Sequence, residues 1–218
     1  MKKILCVGYR EWALRIYDKI AQNYNDGNVT IIASRDEYSD TFLKEYNPDF
    51  ILFYGWSWMV SEHIISDYKC IMLHPSKLPK YRGGSPIQNQ IIRGEKNSAV
   101  TLFLMNEKMD SGPILFQEPI SLSGSLDDIF NRIEELGYQG TMQFLSNPIE
   151  GVKQTEEEAT YFSRRTESQG EITSKELSEQ SSEYIYNKIR MLQDPYPNAY
   201  LKASDGKKIF IIKAIIEN

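Results

Sequence analysis

Short apolar runs alternate with amphipathic stretches through the first third of the chain. Residues 3–8, KILCVG, form a continuous apolar run that ends in glycine, and Trp12, Ala13, Ile16, Tyr17 and Ile20 then recur at helical spacing. The pair predicts a strand feeding a helix. NVTIIAS (28–34), DFILFYG (49–55) and CIML (70–73) repeat the apolar run, with the helical stretches SDTFLKEYN and SEHIISDY between them. Strands alternating with helices predict a parallel sheet with right-handed crossovers, an open doubly wound α/β domain. SAVTLFLMN (98–106) and GPILFQEPISL (112–122) read as two strands about a turn. SLDDIFNRIEELGYQGTMQFL reads as a long amphipathic helix with Ser125 as its N-cap.

After about residue 150 the pattern changes. The stretch GVKQTEEEATYFSRRTESQGEITSKELSEQSSE is polar with few apolar anchors, which suits an ordered surface crossing or a linker. A last helix is predicted over 174–192, and PNAYLKASDGKKIFIIKAII reads as a hairpin turning at SDGK. Residues 1–150 are therefore expected to form the main domain, and 151–218 a linker, helix and hairpin appended to it. That hairpin alone is too small to stand as a domain.

Charge and cysteine use narrow the partners. Twenty-five Lys and Arg against thirty Asp and Glu give a net charge of −5, the reverse of the basic excess that nucleic-acid phosphates call for. No nucleic-acid partner is expected, and an anionic ligand must meet a local basic cluster. Cys6 and Cys70 lie in apolar runs outside any CxxC pair and read as buried thiols of a reducing compartment. The N-terminal apolar run is broken by Arg10 and Glu11, too early for a signal-peptide core, and no run has the length of a membrane span. A soluble, cytoplasmic protein is expected.

Candidate chemistry concentrates in IMLHPSKLPKYRGGSPIQNQI (71–91). His74 falls at the carboxyl end of the fourth predicted strand, where open α/β sheets bind ligands, and Pro75 stops the strand directly after it. His63, on a predicted helix, reads as an ordinary surface or core residue. No further Cys, His or carboxylate joins Cys70 and His74 at metal-ligand spacing, so no metal is expected. The single glycine of VGYREWA is not a dinucleotide fingerprint, YRGGSP lacks the Lys-Ser/Thr ending of a P-loop, and no G-x-S-x-G occurs. Lys80, Tyr81, Arg82, Gly83 and Gly84 form a local basic, glycine-rich cluster suited to an anion. Asp110, in the second informative stretch LFLMNEKMDSGPIL, reads by itself as a turn carboxylate.

Taken together, HPSKLPKYRGGSPI and MNEKMDSGPIL resemble the 10-formyltetrahydrofolate-dependent formyltransferases, the family of methionyl-tRNA, glycinamide ribonucleotide and nucleotide-sugar N-formyltransferases. The resemblance covers residues 1–150 well and the tail more loosely, and implies that family's Rossmann-like fold. It implies His74 as the acid/base residue and Asp110 as the carboxylate that orients it, with Asp110 also near the folate. Family members usually place an asparagine two positions before the histidine as an oxyanion donor; here that position is Met72. Alternate strand residues share a face, so a methionine with no N–H projects beside His74. Loss of such a donor typically costs about 10²–10³ in rate. Gln88, Asn89 and Gln90 are the nearest polar residues that can compensate.

The resemblance places the folate against YGWSWMVSEHI, implicating Trp58, Met59 and Val60, with Trp56 beside them. YFSRRTESQGEI and NKIRMLQDPYPNAYL resemble nucleotide-sugar enzymes, implicating Arg164, Arg165 and Tyr196, together with Lys80, Tyr81, Arg82 and Gly83, in substrate binding. The implied activity is transfer of a formyl group from 10-formyltetrahydrofolate to a nucleotide-linked, dTDP-type, 3- or 4-amino-dideoxysugar in surface-polysaccharide synthesis such as O-antigen. The alternatives are methionyl-tRNA formylation, against which the short tail argues, and a non-catalytic folate- or nucleotide-binding relative. The apolar C-terminal hairpin is a candidate homodimer surface.

Overall fold

The computed structural model describes residues 1–217. β1 (Lys2–Val7), α1 (Glu11–Asn23), β2 (Gly27–Ile32), α2 (Asp40–Tyr46), β3 (Phe50–Phe53), α3 (Glu62–Asp67) and β4 (Cys70–His74) follow one another as the hydrophobic pattern predicts. β5 (Arg82–Gly83) and α4 (Pro86–Ile91) come next, then β6 (Asn97–Leu104), β7 (Ile114–Ser121) and the long α5 (Leu126–Ser146). Ser125 caps α5: its hydroxyl accepts from the Asp128 N–H, and the Asp128 carboxylate accepts from the Ser125 N–H.

Six strands form one sheet in the order β2-β1-β3-β4-β6-β7. β1 to β4 are parallel, whereas β6 and β7 run antiparallel at one edge. The parallel strands are covered on both faces, which explains their unbroken apolar runs. Ile4 and Cys6 face the layer holding α1 and α5, while Leu5 and Val7 face the opposite core with Leu43, Ile51, Phe53 and Ile64. Arg15 of α1 is ion-paired with the buried Glu134 of α5. The chain reverses its strand order between β1 and β3, and the crevice above that point opens at the strands' carboxyl ends. Tyr17 ties these two ends together: its hydroxyl donates to the Val7 and Leu52 carbonyl region and accepts from the Tyr54 N–H at 2.7 Å.

The polar stretch after 150 is an ordered crossing. β8 (Tyr161–Phe162) pairs in parallel with β5, a contact that joins two stretches almost eighty positions apart. The single helix expected over 174–192 is two helices, α6 (Ser174–Glu179) and α7 (Ser182–Arg190). The break falls at EQSS, where the Ser181 hydroxyl accepts from the Tyr184 N–H and starts a new helix; a serine competes with helical backbone for its own hydrogen bonds. β9 (Ala199–Lys202) and β10 (Lys208–Ile211) form the closing hairpin. Ile172, Ile189, Met191, Leu192 and Ala199 join the core built around α1 and α5. No helix among the described residues is long and apolar enough to cross a membrane. Cys6 and Cys70 are buried free thiols; burial pushes both upward, Cys70 to about 12, so neither supplies a thiolate near neutrality.

Candidate active site

His74 is the last residue of β4, paired in register with Thr101 of β6, and is 5% exposed. Pro75 has no N–H to continue the ladder, and the chain turns away through residues 75–81. The turn is held from within. The Thr101 hydroxyl donates to the Ser76 carbonyl at 2.6 Å, the Ser76 hydroxyl donates to the Lys80 carbonyl, and the Gln117 amide donates to the Leu78 carbonyl. Tyr81 then adopts a left-handed backbone, φ 61°, a conformation that costs of order 1–3 kcal/mol in a non-glycine residue. That conformation accompanies a carbonyl aimed at the ring of His74, with Tyr81 O 2.8 Å from Nε2.

A carbonyl only accepts, so Nε2 of His74 carries the hydrogen. The other ring nitrogen, Nδ1, lies 3.5 Å from Oδ2 of Asp110. Asp110 sits in the β6–β7 turn, itself left-handed at φ 50°, a region aspartate tolerates. Gly112 makes that turn possible, since a Cβ there would fall 1.7 Å from the Leu104 carbonyl. The same Oδ2 accepts the Gly83 N–H at 2.7 Å. Each imidazole nitrogen thus faces an acceptor, at hydrogen-bond distance for Nε2 and within ion-pair distance for Nδ1. The arrangement stores and releases one proton at Nδ1 while Nε2 stays anchored.

His74 and Asp110 open onto a cavity of about 320 Å³ at the sheet's switch point. One wall comes from the tips of β3 and β4: Phe53, Gly55, Trp56, Ser57 and Met72. Trp56 belongs to an aromatic group with Trp58 and Tyr9, ring centroids 4.6 and 6.5 Å away, and its buried Nε1 has no hydrogen-bond partner. The lining also includes Arg10, Arg164, Arg165 and Tyr196. Arg10 lies over the Tyr9 and Tyr196 rings at 4.9 and 5.7 Å. Arg165 is half-buried and its Nε has no partner; burial, then the neighbouring Arg93, weigh against its charge and pull its pKa down. A desolvated guanidinium with a free N–H calls for an anion.

Several expected site residues stand elsewhere. Arg82 is completely buried, its guanidinium donating to Gln154 Oε1 at 2.8 Å, both Glu156 oxygens at 3.1 Å and the Tyr161 hydroxyl. It is a pin for the 154–161 crossing, fully buried and outside the cavity lining. Lys80 is exposed and outside the cavity lining. The Tyr81 side chain is also outside it, stacked on Phe162 at 4.9 Å with its hydroxyl donating to Glu95. The glycine N–H groups are engaged internally, Gly83 with Asp110 and Gly84 with the Phe162 carbonyl, so no open anion nest forms. On the expected folate side, Val60 is buried in the core with Leu5 and Phe53, Met59 is 88% exposed, and Trp58 stands behind Trp56. Arg164, Arg165, Tyr196 and Gly83 do line the cavity.

The three neighbouring carboxamides of α4 also separate. Asn89 donates to the Gly84 and Ser163 carbonyls, and Gln90 donates to those of Pro75 and Pro86. Gln88 lines the cavity, is 3% exposed, and its Nε2 has no partner. Arg10, missed in the sequence, follows directly on the first strand's carboxyl end, the position that should have flagged it. Among the described residues no group of three or more His, Cys, Asp or Glu side chains is placed to hold a metal ion.

Fold and site define a group-transfer architecture: an open α/β sheet with a histidine–aspartate pair at its switch-point crevice and both aromatic and cationic side chains in the lining. The comparisons make the class specific. The family described as formyl transferase matches residues 4–145, more than half of the chain, and the chain belongs to that family. It is 32% identical over 186 residues to a methionyl-tRNA formyltransferase of Rickettsia prowazekii, covering 83% of this chain and 59% of that relative. A methionyl-tRNA formyltransferase of Caldanaerobacter subterraneus is 36% identical over 180 residues, covering 79% and 56%. The chain therefore spans less than two thirds of the length of these curated relatives. Among solved structures, a methionyl-tRNA formyltransferase from Clostridium thermocellum superposes with TM-score 0.85 at 30% identity, covering 99% of both chains. A 4-N formyltransferase from Francisella tularensis shares the fold, with TM-score 0.79 at 20% identity and 99% of that chain covered.

Proposed function

We propose that this chain transfers a formyl group from 10-formyltetrahydrofolate to an amine on a phosphate-bearing acceptor, and that the acceptor is a dTDP-linked 3- or 4-amino-dideoxysugar. The observation that carries the acceptor half is the cationic part of the lining: Arg10, Arg164 and the desolvated Arg165 border the cavity that His74 and Asp110 open onto. Those guanidiniums match a pyrophosphate in charge and geometry. Tyr196, beside Arg10, offers a flat face to a base or sugar.

The folate half fits the aromatic part of the lining. Trp56 and its aromatic neighbours offer flat surfaces, and the unpartnered Trp56 Nε1 is a donor of the kind a ring nitrogen or oxygen of a pterin accepts. When bound, the folate supplies an activated formyl carbon. His74 takes the proton of the attacking amine at Nδ1, held in place by the Tyr81 carbonyl on Nε2. Asp110, itself fixed by the Gly83 N–H, faces the imidazolium that results.

A second reading takes initiator methionyl-tRNA as the acceptor, favoured by the names of the relatives at 30–36% identity. Chain length does not divide the two, because the Clostridium thermocellum chain of that name is covered over 99% of its length. Purified protein with 10-formyltetrahydrofolate should release tetrahydrofolate in the presence of a dTDP-aminosugar and yield an N-formylated product by mass spectrometry. Transfer to methionyl-tRNA alone would replace the sugar reading. Folate binding without transfer to either amine leaves the non-catalytic alternative standing in its place.

A further inference from the structure

Acyl transfer to an amine builds negative charge on the carbonyl oxygen, and a donor aimed at that oxygen is ordinarily the largest single contribution to rate. The groups nearest the acid/base pair do not provide one. Met72, on the same strand face as His74, has no N–H. Nε2 of His74 is held by the Tyr81 carbonyl, and the Gly83 and Gly84 N–H groups are engaged by Asp110 and Phe162. Two of the three carboxamides of the QNQ run have their NH₂ groups tied to backbone carbonyls.

Gln88 remains. Its side chain lines the cavity with Met72, His74 and Asp110, it is 3% exposed, and its Nε2 is buried without a partner. A buried amide left unpaired costs about 1–3 kcal/mol, and proteins keep such groups chiefly where function uses them. The terminal torsion of glutamine is soft, so the NH₂ can swing toward a ligand without a rotamer change. We infer that the Gln88 carboxamide is the donor that meets the formyl oxygen in this cavity, supplying a side-chain N–H that residue 72 lacks. The inference rests on the formyl-transfer reading and adds to it the group that stabilises the developing charge.

The experiment compares wild type, Gln88→Leu, Met72→Asn and the double variant. In Gln88→Leu, kcat should fall by about 10²–10³ with the KM of both substrates within about threefold of wild type. Tm should hold or rise, because an apolar isostere replaces an unpaired amide. Met72→Asn in the Gln88→Leu background places a new N–H on the His74 face and should recover at least about tenfold in kcat, one donor's worth or less. Independently of turnover, calorimetry should show that wild type prefers 10-formyl-5,8-dideazafolate over the unformylated analogue, and that Gln88→Leu loses about 5–10-fold of that preference. Wild-type kcat and preference in Gln88→Leu overturn the inference alone, as does a loss confined to KM or accompanied by a lower Tm. A wild type that binds neither folate analogue overturns the formyl-transfer reading itself.

Discussion

The ring of His74 is fixed from both ends, by the Tyr81 carbonyl at 2.8 Å and by Asp110 at 3.5 Å. Its chemistry is therefore set by one atom, Nδ1. His74→Gln keeps a donor for Tyr81 but offers no titratable nitrogen; turnover should fall by about 10²–10⁴ while folate affinity stays near wild type, measured by assay and calorimetry together. His74 and Asp110 were legible as a pair because a strand tip, a proline stop and a specific flanking motif mark them. Arg82 was misread for a physical reason: YRGG looks like an anion grip, yet the groups that satisfy the guanidinium come from Gln154, Glu156 and Tyr161. Nothing local in the sequence announces partners that distant. Arg10 shows the converse, since its role depends on Tyr196 and Arg165 arriving at the same crevice from the far end of the chain.

At the scale of elements, the two-residue pairing of β5 with β8 joins the turn that holds His74 to the arm that carries Arg164 and Arg165. Arg82 is the fastening beneath it. Arg82→Met should lower Tm by roughly 4–10 °C, the loss of a buried, charge-assisted cluster worth about 1.5–3 kcal/mol in a chain of this size. Limited proteolysis should then cut first within residues 151–165, and a variant cut at wild-type rate there would refute the fastening role. Helices and strands of the first 150 residues were readable because each carries its own period. The two-residue strands were not, because a pair that short has no period and is defined only by its partner. The α6–α7 break lay in plain view at EQSS, but a break made by one capping serine is hard to weigh against the continuing helical spacing of Ile185 and Ile189.

For the molecule as a whole, a net charge of −5 surrounds a cavity whose lining includes three arginines, so the field that receives an anion is local. Arg165→Gln should raise the acceptor KM by about 10–100-fold and leave the folate KM unchanged, the range expected for a lost charge-assisted hydrogen bond. Repeating the measurement from low to moderate salt tests the acceptor's size: a sugar diphosphate gives a shallow dependence, a tRNA a steep one. The doubly wound architecture followed directly from alternating strands and helices, whereas the meeting of aromatic and cationic side chains in one crevice depended on which loops come together, a property of the closed fold.

The Gly83 N–H that fixes Asp110 lies between the Arg82 and Gly84 N–H groups, which donate to the carbonyls of Thr160, just before β8, and Phe162, within it. Three consecutive amides thus alternate between the acceptor arm and the catalytic carboxylate. Amide hydrogen exchange at all three should report a single local opening, slowed together when an anion seats on the arginines. On the proposed reading, binding the acceptor then tightens the acid/base pair through the backbone alone, and proton transfer is better organised when an amine is present to deliver one than when the folate stands alone with water.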